Sequence, residues 1–536
     1  MSQTQMETDI VVVGSGASGL AAALTCAEGG AKVVLFEKQQ SLGGSSNFFY
    51  GTFAVESEIQ RARYITYSRD EAFRNIMEFS HWRANPRLVR AVVDESASTI
   101  AWLRQQGVEF IDARNNFPDA PMTYHVVKGQ GAAVVKALSE RAKERGVRLR
   151  TGTPVREILR RSGRIAGVIA EEDGQAVETA ARAVVIASGG YANNKEWIRK
   201  YAGFDLGVNL FPVGNVDKTG DGIRMAWEVG AAQEGLGILE LFRVGPVGAE
   251  FPMMGQIEFI PAQPDLWVDQ RGERFCDESI AFSETSAGNA NARYKEGYTY
   301  SLFDDSIKQV LLAKGIERGV GEDYLPGTRP LNFDKELQAA LEHGTGEIFT
   351  AHSIEKLAEK MGADPAVLKA TVDEYNAFCK KGHDDLFAKD AKYLRPLVGP
   401  TFYAVKARTV CLGTLGGIKI DHHMQVIDKK GGIIPGLYAG GFDAGGLYGD
   451  SYSIHDSSGL SSGFALNSGR IAGRNALGFV KSRSLPAAFI AKESQGIKFC
   501  VSKVSKPDCL KIKTGFPSRQ KFAPSECSPA FRCART

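Results

Sequence analysis

Short apolar runs separated by a helix-length segment open the chain. Residues Ile10–Val13 are apolar without interruption, which is typical of a strand buried on both faces of a parallel sheet. Leu20–Glu28 has the composition of a helix of small residues, and Lys32–Phe36 is a second apolar run that ends in Glu37. The pattern therefore predicts a strand–helix–strand unit over Asp9–Lys38.

A glycine-rich turn, Gly14–Gly19, joins the first strand to the helix with the spacing G-x-G-x-x-G. Gly14 allows the tight bend, Gly16 lets a pyrophosphate approach the backbone, and Gly19 lets helix and strand pack closely. The helix N-terminus offers N–H groups and the positive end of its dipole to phosphates. Glu37 is placed to accept hydrogen bonds from ribose hydroxyls. Because all these parts occur in register, they predict a bound dinucleotide rather than a plain glycine-rich turn.

A second loop of small residues, Ser41–Ser46, follows soon after Glu37. A nicotinamide site would normally run straight on into further strand–helix units. FAD is larger, and its phosphates and ribityl chain need close contact with the backbone. The second loop therefore favours FAD over NAD.

Farther along the chain, helical periodicity covers Asp70–His81 and Pro86–Gln106, after an irregular stretch at Phe49–Ser68. Helix patterns also occur at Ile354–Met361 and Pro365–Cys379. Four strands are predicted in the middle of the chain, the first three as a meander: Thr153–Leu159, Arg164–Glu171, Ala176–Thr179 and Ala183–Ala187.

The chain has 536 residues, too many for one core, so two or three domains are expected. It is 43% hydrophobic and 24% charged, as is usual for a globular protein. No run approaches the ~18 apolar residues that cross a bilayer, and the N-terminus lacks signal-peptide features, so a cytoplasmic location is predicted. The cysteines form no C-x-x-C pair, and His422-His423 has no third ligand nearby, so no metal site is predicted.

The C-terminal segment 481–536 differs in charge from the rest of the chain. It holds 12 Lys+Arg and 3 Asp+Glu, a net +9, which leaves 53 and 59, a net −6, for the remainder. It has no helical or strand periodicity, so a poorly ordered tail is predicted. Attachment to an acidic partner or a membrane surface is the alternative. No nucleic-acid partner is predicted.

Several motifs occur in the order that one flavoprotein superfamily shows. They are Gly14–Gly19, Leu42–Ser46, Val184–Asn194, Thr219–Gly222, Val268–Phe275, Thr414–Gly417, Gly436–Gly441 and Gly469–Gly473. Over about residues 8–480 the chain resembles the fumarate reductase/succinate dehydrogenase flavoprotein superfamily. That group also contains flavocytochrome fumarate reductases, urocanate reductases and 3-ketosteroid dehydrogenases.

The resemblance implies an α/β fold with a Rossmann-like FAD-binding domain made of residues 1–235 and 414–480. An α+β capping domain, residues 236–413, is implied as an insertion that closes over the flavin ring and keeps water away from hydride chemistry. The residues implied to contact FAD are Gly14, Gly16, Ala17, Ser18, Gly19, Glu37, Lys38, Gly43, Gly44, Ser45, Val155, Ala187, Ser188, Gly189, Asp221, Gly441, Asp443, Leu460 and Ser461.

The charged site residues of fumarate reductases are replaced in this chain. In fumarate reductases a proton-delivering arginine follows a glutamate that corresponds to Glu278, and Phe282 occupies the position of that arginine here. Gly413 occupies the position of the histidine that precedes the T-x-G-G motif. Tyr452 stands where an arginine clamps a substrate carboxylate, and the first histidine of the cap falls near Phe242. The segment LGGSSNFF contains no histidine, so the FAD is predicted to be non-covalent.

Loss of these cations argues against a dicarboxylate substrate, because a dianion would be desolvated without matched charges. Tyr452 instead suits a ketone oxygen, which its phenolic O–H would polarise, and 3-ketosteroid dehydrogenases use a tyrosine in a similar place. Aromatic residues are predicted to line an apolar slot, with ordinary core packing as the alternative: Phe242, Phe251, Phe259, Trp267 and Phe282.

Two further residues are candidates for catalysis. His455 lies in Ser453–Ser458, a loop longer than in fumarate reductases, and is either a proton donor or a solvated loop residue. Arg243 is the strongly cationic candidate at the entrance of the cap.

The leading hypothesis is an FAD-dependent oxidoreductase that moves a hydride and a proton between flavin N5 and a C–C bond next to a carbonyl. Either enone reduction or desaturation is compatible with this. The alternatives are a reductase of a larger unsaturated acid anchored by Arg243, and a flavin-binding protein that has lost catalysis. The expected partners are a neutral, partly apolar small molecule and an external electron donor or acceptor.

Overall fold

The computed structural model describes residues 4–115, 117, 119–248, 251, 255–319 and 324–482. The predicted tail, 481–536, lies outside the described residues from position 483 onward. Its interpretation as a poorly ordered segment or an attachment site therefore stays a prediction.

The strands belong to several sheets. In chain order they are β1 (Thr4–Glu7), β2 (Ile10–Val13), β3 (Val33–Phe36), β4 (Gly51–Phe53), β5 (Phe110–Arg114), β6 (Tyr124–Val127), β7 (Arg148–Arg150), β8 (Val155–Arg161), β9 (Arg164–Glu172), β10 (Gln175–Ala180), β11 (Ala183–Ile186), β12 (Phe211–Pro212), β13 (Gln233–Glu234), β14 (Leu239–Val244), β15 (Leu266–Val268), β16 (Tyr298–Asp304), β17 (Ile348–Ala351), β18 (Phe402–Thr414), β19 (Gly417–Ile418), β20 (Gln425–Ile427) and β21 (Ile433–Ala439).

The α-helices lie between and after these strands. They are α1 (Ala17–Glu28), α2 (Glu58–Ala62), α3 (Arg69–Phe79), α4 (Pro86–Gln105), α5 (Gln130–Glu144), α6 (Lys195–Trp197), α7 (Asp221–Glu228), α8 (Phe259–Ala262), α9 (Glu284–Ala292), α10 (Asp305–Lys314), α11 (Phe333–His343), α12 (Ile354–Met361), α13 (Pro365–Lys381) and α14 (Leu460–Ser482). Among the described helices, none is long and apolar enough to cross a bilayer.

A mostly parallel sheet in the order β20-β21-β11-β2-β3-β7 carries the N-terminal unit. Its strands β2, β3 and β11 are buried at every residue, as expected for a sheet covered on both faces. Helix α1 follows β2 directly and packs closely on α14, because a Cβ at Gly469 would lie 2.2 Å from the Ser18 carbonyl oxygen. The predicted strand–helix–strand unit and the α/β class are thereby confirmed.

A second sheet, in the order β12-β18-β16-β15, is built around the long strand β18, which β14 and β17 also join. Helices α10–α13 and strand β16 share a separate hydrophobic cluster around Phe303, Phe333 and Tyr375. This separate core is consistent with a cap at 236–413. The boundaries themselves stay a prediction, because β14, which lies inside that range, packs in the core of the parallel sheet.

The structure departs from the sequence pattern in one stretch. The stretch Phe49–Ser68 is not irregular throughout, because it contains β4 and α2, whose N-cap Ser57 and Gln60 form a capping box. Helix α14 contains the motif Gly469–Gly473 and continues beyond it to Ser482. The meander β8–β9–β10 is confirmed as an antiparallel set.

Candidate active site

The turn between β2 and α1 is held by Glu37 at the end of β3. The Ser15 N–H and hydroxyl both donate to one oxygen of the Glu37 carboxylate, at 2.9 and 2.6 Å. The other oxygen accepts from the Gln39 N–H at 2.9 Å. Glu37 thus fixes the turn while lying on the edge of the cleft in front of α1.

The second loop is joined to this turn through two serines that the sequence did not single out. The Ser15 hydroxyl accepts from the Gly43 N–H at 3.0 Å, and the Ser46 hydroxyl accepts from the Ala17 N–H at 2.9 Å. Gly14 adopts φ +102°, and a Cβ there would lie 2.2 Å from the Ala187 carbonyl oxygen. The two loops, Gly14–Gly19 and Ser41–Ser46, therefore form one continuous wall. We call the space in front of this wall the flavin cleft, and its other sides include Val155, Ala187 and Gly441.

A lysine and two aspartates form ion pairs at one end of the flavin cleft. The Lys38 ammonium lies 2.9 Å from the Asp221 carboxylate and 3.2 Å from Asp217. Burial of Asp221 disfavours its ionised form, but Lys38 outweighs this effect and lowers the pKa of Asp221. Behind the wall of the cleft, Asp443 accepts from the Gly189 and Gly190 N–H groups at 3.0 Å.

Most of the residues that the resemblance implies for FAD lie on the flavin cleft. They are Gly14, Gly16, Ala17, Ser18, Glu37, Lys38, Gly43, Gly44, Ser45, Val155, Ala187, Ser188, Gly189, Asp221, Gly441 and Ser461. Three do not lie on it. Gly19 and Leu460 pack behind the cleft, and the buried Asp443 holds the Ser188–Gly190 loop from behind.

The residues of the cleft fit FAD. A Cβ at Gly44 would meet no atom within 4 Å, so the backbone there is open to a ligand. Among the described residues, the buried hydroxyls of Ser18 and Ser45 have no hydrogen-bond partner within the protein. Unpartnered buried hydroxyls next to a helix N-terminus suit phosphate and ribityl oxygens.

A second cavity of about 890 Å³ adjoins the flavin cleft, a volume typical of sites for small molecules, ~300–1,000 Å³. We call it the aromatic cavity, because rings dominate its wall: Phe48, Phe49, Tyr50, Phe117, Tyr124, Phe242, Phe251 and Tyr452. Its described charged side chains are three arginines and three glutamates, which balance in formal charge: Arg114, Arg243, Arg318, Glu240, Glu258 and Glu284.

The two spaces share part of their walls. The shared residues are Phe48, Phe49, Val213, Gly214, Glu240, Leu412, Ser461 and Ser462. Glu240 is the titratable side chain among them. A molecule in the aromatic cavity therefore borders the flavin cleft across a wall that carries one acidic group.

Glu240 lies where β14 and β18 lose their regular register. Leu239 pairs with Thr414 and Leu241 with Cys411, so two residues of β18 oppose Glu240 alone, the arrangement of a β-bulge. Its side chain is 3% exposed, and burial raises its pKa to about 7, against the opposing effects of Lys218 and Ser461. The sequence analysis missed Glu240, because a lone acid within an apolar strand carries no motif.

Lys218 is the cationic side chain of the flavin cleft nearest to this acid. It is buried, and its ammonium lies 4.8 Å from the centre of the Phe442 ring. Burial lowers the pKa of Lys218 to about 8, although Cys411, Glu240 and Asp443 each oppose this. The site therefore holds an acid and a base whose pKa values are both close to neutral.

Tyr452 lies in the wall of the aromatic cavity and is 1% exposed. Its hydroxyl accepts a long hydrogen bond from the Ser461 N–H, at 3.4 Å. Burial and, to a smaller extent, the nearby Glu240 raise the pKa of Tyr452 above its usual range. The phenol is therefore protonated and able to donate at neutral pH.

The family model described as FAD binding domain matches residues 9–454. The chain belongs to this family. It binds FAD and is an FAD-dependent oxidoreductase. The flavin cleft, built from the first two loops and α1, is the part of the structure that fits that cofactor.

Known relatives of the chain are reductases. A vinyl phenol reductase of Lactiplantibacillus plantarum is 37% identical over 488 residues, which cover 89% of this chain and 98% of the relative. A fumarate reductase (cytochrome) of Shewanella frigidimarina is 28% identical over 448 residues, covering 82% of this chain and 72% of that protein. The resemblance to the fumarate reductase superfamily is thereby confirmed.

A solved structure from the same group shows the same fold. The 3-ketosteroid-Δ4-(5α)-dehydrogenase from Rhodococcus jostii superposes with a TM-score of 0.70 at 23% identity, covering 89% of this chain and 98% of that one. At this identity the match describes the fold alone.

Two of the positions that the resemblance assigns to fumarate reductase cations, Gly413 and Phe282, have packed surroundings in the structure. A Cβ at Gly413 would lie 2.3 Å from the Phe442 ring, so the ring fills the space of a side chain there. Phe282 packs against Tyr393, with ring centres 5.2 Å apart, and lies on neither the cleft nor the cavity.

The predicted aromatic slot is only partly correct. Phe242 and Phe251 line the aromatic cavity. Phe259, Trp267 and Phe282 do not, because Phe259 packs against Tyr324 and Trp267 is fully buried under a guanidinium. The core-packing alternative therefore holds for these three.

Arg243 is buried rather than exposed at an entrance. Its guanidinium lies 3.8 Å from the Trp267 ring centre and donates to Thr299, Pro261 and Ser301 oxygens at 2.9–3.0 Å. It also lines the aromatic cavity. These three acceptors are neutral, and the carboxylate that favours its charge, Glu278, is itself ion-paired with Arg274 and Lys389.

His455 lies beside the aromatic cavity and does not form part of its described wall. Its Nδ1 is 3.0 Å from the Asp456 carboxylate, and its ring stacks on Phe117 at 6.2 Å. The structure thus places His455 behind a cavity residue, whereas Tyr452 and Arg243 border the cavity directly.

Proposed function

We propose that the chain reduces a carbon–carbon double bond conjugated to an oxygen-bearing group in a largely neutral small molecule. When bound, FAD supplies the hydride that this reaction requires. The wall shared by the flavin cleft and the aromatic cavity carries the proposal, since it brings the two binding spaces together. An external electron donor would restore the reduced cofactor, and the reverse desaturation would use the same site.

Tyr452 is proposed to bind the oxygen of the substrate. Its hydroxyl is buried, stays protonated, and lies in the wall of the aromatic cavity. A hydrogen bond from it would strengthen as negative charge develops on a carbonyl oxygen during hydride addition. This would draw electron density away from the double bond and make one of its carbons electrophilic.

The wall of the aromatic cavity supports a neutral, partly aromatic substrate. Rings such as Phe49, Tyr124 and Phe242 provide apolar contact around a substrate. Arg318 forms an ion pair with Glu284, which removes one cation from anion binding. The name of the vinyl phenol reductase, whose length this chain covers almost completely, points to the same substrate class.

A reductase of a larger unsaturated acid is the second candidate. Arg243 favours it, because a buried guanidinium bonded to three neutral acceptors gains a charged partner if the substrate carries a carboxylate. On this alternative the acid end of the substrate would lie beside Trp267.

The test is a substrate panel with the flavin first reduced chemically in the absence of oxygen. Reoxidation is followed by absorbance after addition of 4-vinylphenol, a cyclic enone, 4-hydroxycinnamate or fumarate, and the products are identified by mass. We expect 4-vinylphenol or the enone to reoxidise the flavin and to gain two hydrogens. Reoxidation by fumarate alone, or by none of the four, would contradict the proposal.

The Arg243→Gln variant separates the two candidates. If an unsaturated acid is the substrate, this variant should lose activity with 4-hydroxycinnamate by at least tenfold more than with 4-vinylphenol. Equal effects on both compounds would remove Arg243 as an anchor.

A further inference from the structure

Reduction of a double bond needs a proton as well as a hydride, and the described wall of the aromatic cavity offers few groups that can give one. Its arginines are poorer acids than a carboxylic acid, because a guanidinium holds its proton more tightly. Burial lowers the pKa of Arg243 to about 9, but three of its N–H groups already donate to protein oxygens. Tyr452 is also a poor acid, since its pKa is raised above the usual range. Its role as a hydrogen-bond donor to oxygen needs it to keep that proton.

The remaining acids of the cavity differ in position. Glu284 is ion-paired with Arg318, and neither Glu284 nor Glu258 borders the flavin cleft. Glu240 borders both spaces. The bulge between β14 and β18 holds it there, and bulges are frequent beside active sites because they re-aim a side chain.

From this position we infer that Glu240 is the proton donor of the reaction. The inference rests on the proposed function. One alkene carbon receives a hydride, with its two electrons, from the reduced flavin, and the neighbouring carbon receives the carboxylic proton of Glu240. The π bond is lost, two C–H bonds form, and Glu240 is left as a carboxylate that regains its proton from water.

The surroundings of Glu240 keep it protonated near neutral pH. Burial is the main cause of its raised pKa, about 7, and a general acid is most effective when its pKa lies near the working pH. The titratable groups that interact with it come from the loop before α7, from α9, from β18 and from the segment before α14: Lys218, Glu284, Cys411, Tyr448 and Tyr452.

These neighbours predict the pH dependence. The acid form of Glu240 is needed, so the rate of alkene reduction should be constant below about pH 7 and fall about tenfold per pH unit above it. Lys218 lowers the pKa of Glu240. The Lys218→Gln variant should therefore move this fall to higher pH.

The experiment compares Glu240→Gln and Glu240→Asp with wild type, using an alkene that wild type reduces. Flavin content and alkene affinity, read from the shift of the flavin spectrum, are measured first and should stay within about threefold. The single-turnover rate should then fall about 10²–10⁴-fold in Glu240→Gln. Glu240→Asp should be at least tenfold faster than Glu240→Gln, because it keeps an acid.

A matched control is Glu234→Gln. Glu234 lies on β13, the strand that precedes β14 along the chain, and it lines neither the flavin cleft nor the described wall of the aromatic cavity. This variant should leave the rate within about threefold. As a readout independent of turnover, the infrared difference spectrum between about pH 6 and about pH 8 should show loss of a protonated carboxyl band in wild type. That change should be missing in Glu240→Gln.

The outcomes are distinct. A wild-type enzyme that reduces an alkene while Glu240→Gln is within threefold of it would overturn the role of Glu240 alone. If Glu240→Gln does not load flavin, a wild-type rate that is flat from about pH 6 to about pH 9 would overturn it instead. If no alkene reoxidises the wild-type flavin, the proposed function fails and the role of Glu240 with it.

Discussion

Replacement of Tyr452 by phenylalanine tests the proposed contact with the substrate oxygen. The change removes one hydroxyl and keeps the ring, which is 1% exposed and packs edge-on against Tyr448 with centres 5.7 Å apart. The ring packing should therefore persist. What is lost is the donor that strengthens when charge develops on the substrate oxygen.

The expected effects on stability and on activity differ in size. In the free protein the hydroxyl accepts only a long bond from the Ser461 N–H, at 3.4 Å, so its loss should lower the free energy of unfolding by about 1 kcal/mol. In the transition state the hydroxyl would donate to a developing oxyanion. Loss of such a donor costs on the order of 100-fold in rate, roughly 3 kcal/mol.

The assay is single-turnover reoxidation of the reduced flavin by an alkene that wild type accepts. Tyr448→Phe is the matched control, because the Tyr448 hydroxyl is buried, has no hydrogen-bond partner among the described residues, and lies outside the described wall of the aromatic cavity. Its removal should change neither the rate nor, by more than about 1 kcal/mol, the stability.

Three results would refute the proposal that Tyr452 donates a hydrogen bond to the substrate. A Tyr452→Phe enzyme within about threefold of wild type would remove the residue from the mechanism. Equal losses of rate in Tyr452→Phe and Tyr448→Phe would mean that removing either buried hydroxyl disturbs the site, and not that Tyr452 donates to the substrate. If His455→Ala or Arg243→Ala lowers the single-turnover rate strongly while Tyr452→Phe lowers it little, the catalytic role belongs to His455 or Arg243 instead.

Three further predictions follow from the cofactor site and the replaced cations. Acid precipitation should release the FAD into solution, because no histidine lies in the second loop, and yellow colour in the pellet would contradict this. Fumarate and succinate should be poor substrates, since Phe282, Gly413 and Tyr452 replace the charged groups, and turnover above about 1 per second would contradict it. A chain ending at Ser482 should keep its flavin content and melting temperature, and loss of flavin on truncation would show that residues 483–536 contribute to the core.

The N-terminal unit could be predicted from sequence because each of its signals is local. An uninterrupted apolar run specifies β2, the glycine spacing specifies the turn, and Glu37 follows at a fixed distance. The steric demand at Gly19 also acts within this unit, because a Cβ there would lie 1.9 Å from the Gly14 carbonyl oxygen, whereas the demand at Gly14 comes from the distant Ala187. Residues that meet within about thirty positions of one another can be assigned without knowledge of the rest of the fold.

The aromatic cavity could not be predicted in the same way, because its wall is assembled from distant segments. Phe117, Phe242 and Tyr452 come from three separate parts of the chain. Periodicity does not distinguish a ring that lines a cavity from one that packs in a core. That is why Phe259, Trp267 and Phe282 were wrongly placed in the slot.

Gly413, the position that the resemblance assigns to a histidine, and the acid Glu240 lie on one strand pair, β18 and β14. Gly413, where fumarate reductases have a histidine, belongs to the two residues of β18 that oppose Glu240 on β14. The Phe442 ring occupies the space at Gly413, so a histidine there would need that ring to move. The acidic group on the wall between the cleft and the cavity is supplied instead from the partner strand, where burial keeps Glu240 protonated near neutral pH. A neutral acid needs no counter-charge from the substrate, whereas a histidine–arginine set favours a dianion. An acid on β14 in place of a cation on β18 is therefore compatible with the neutral substrate proposed above.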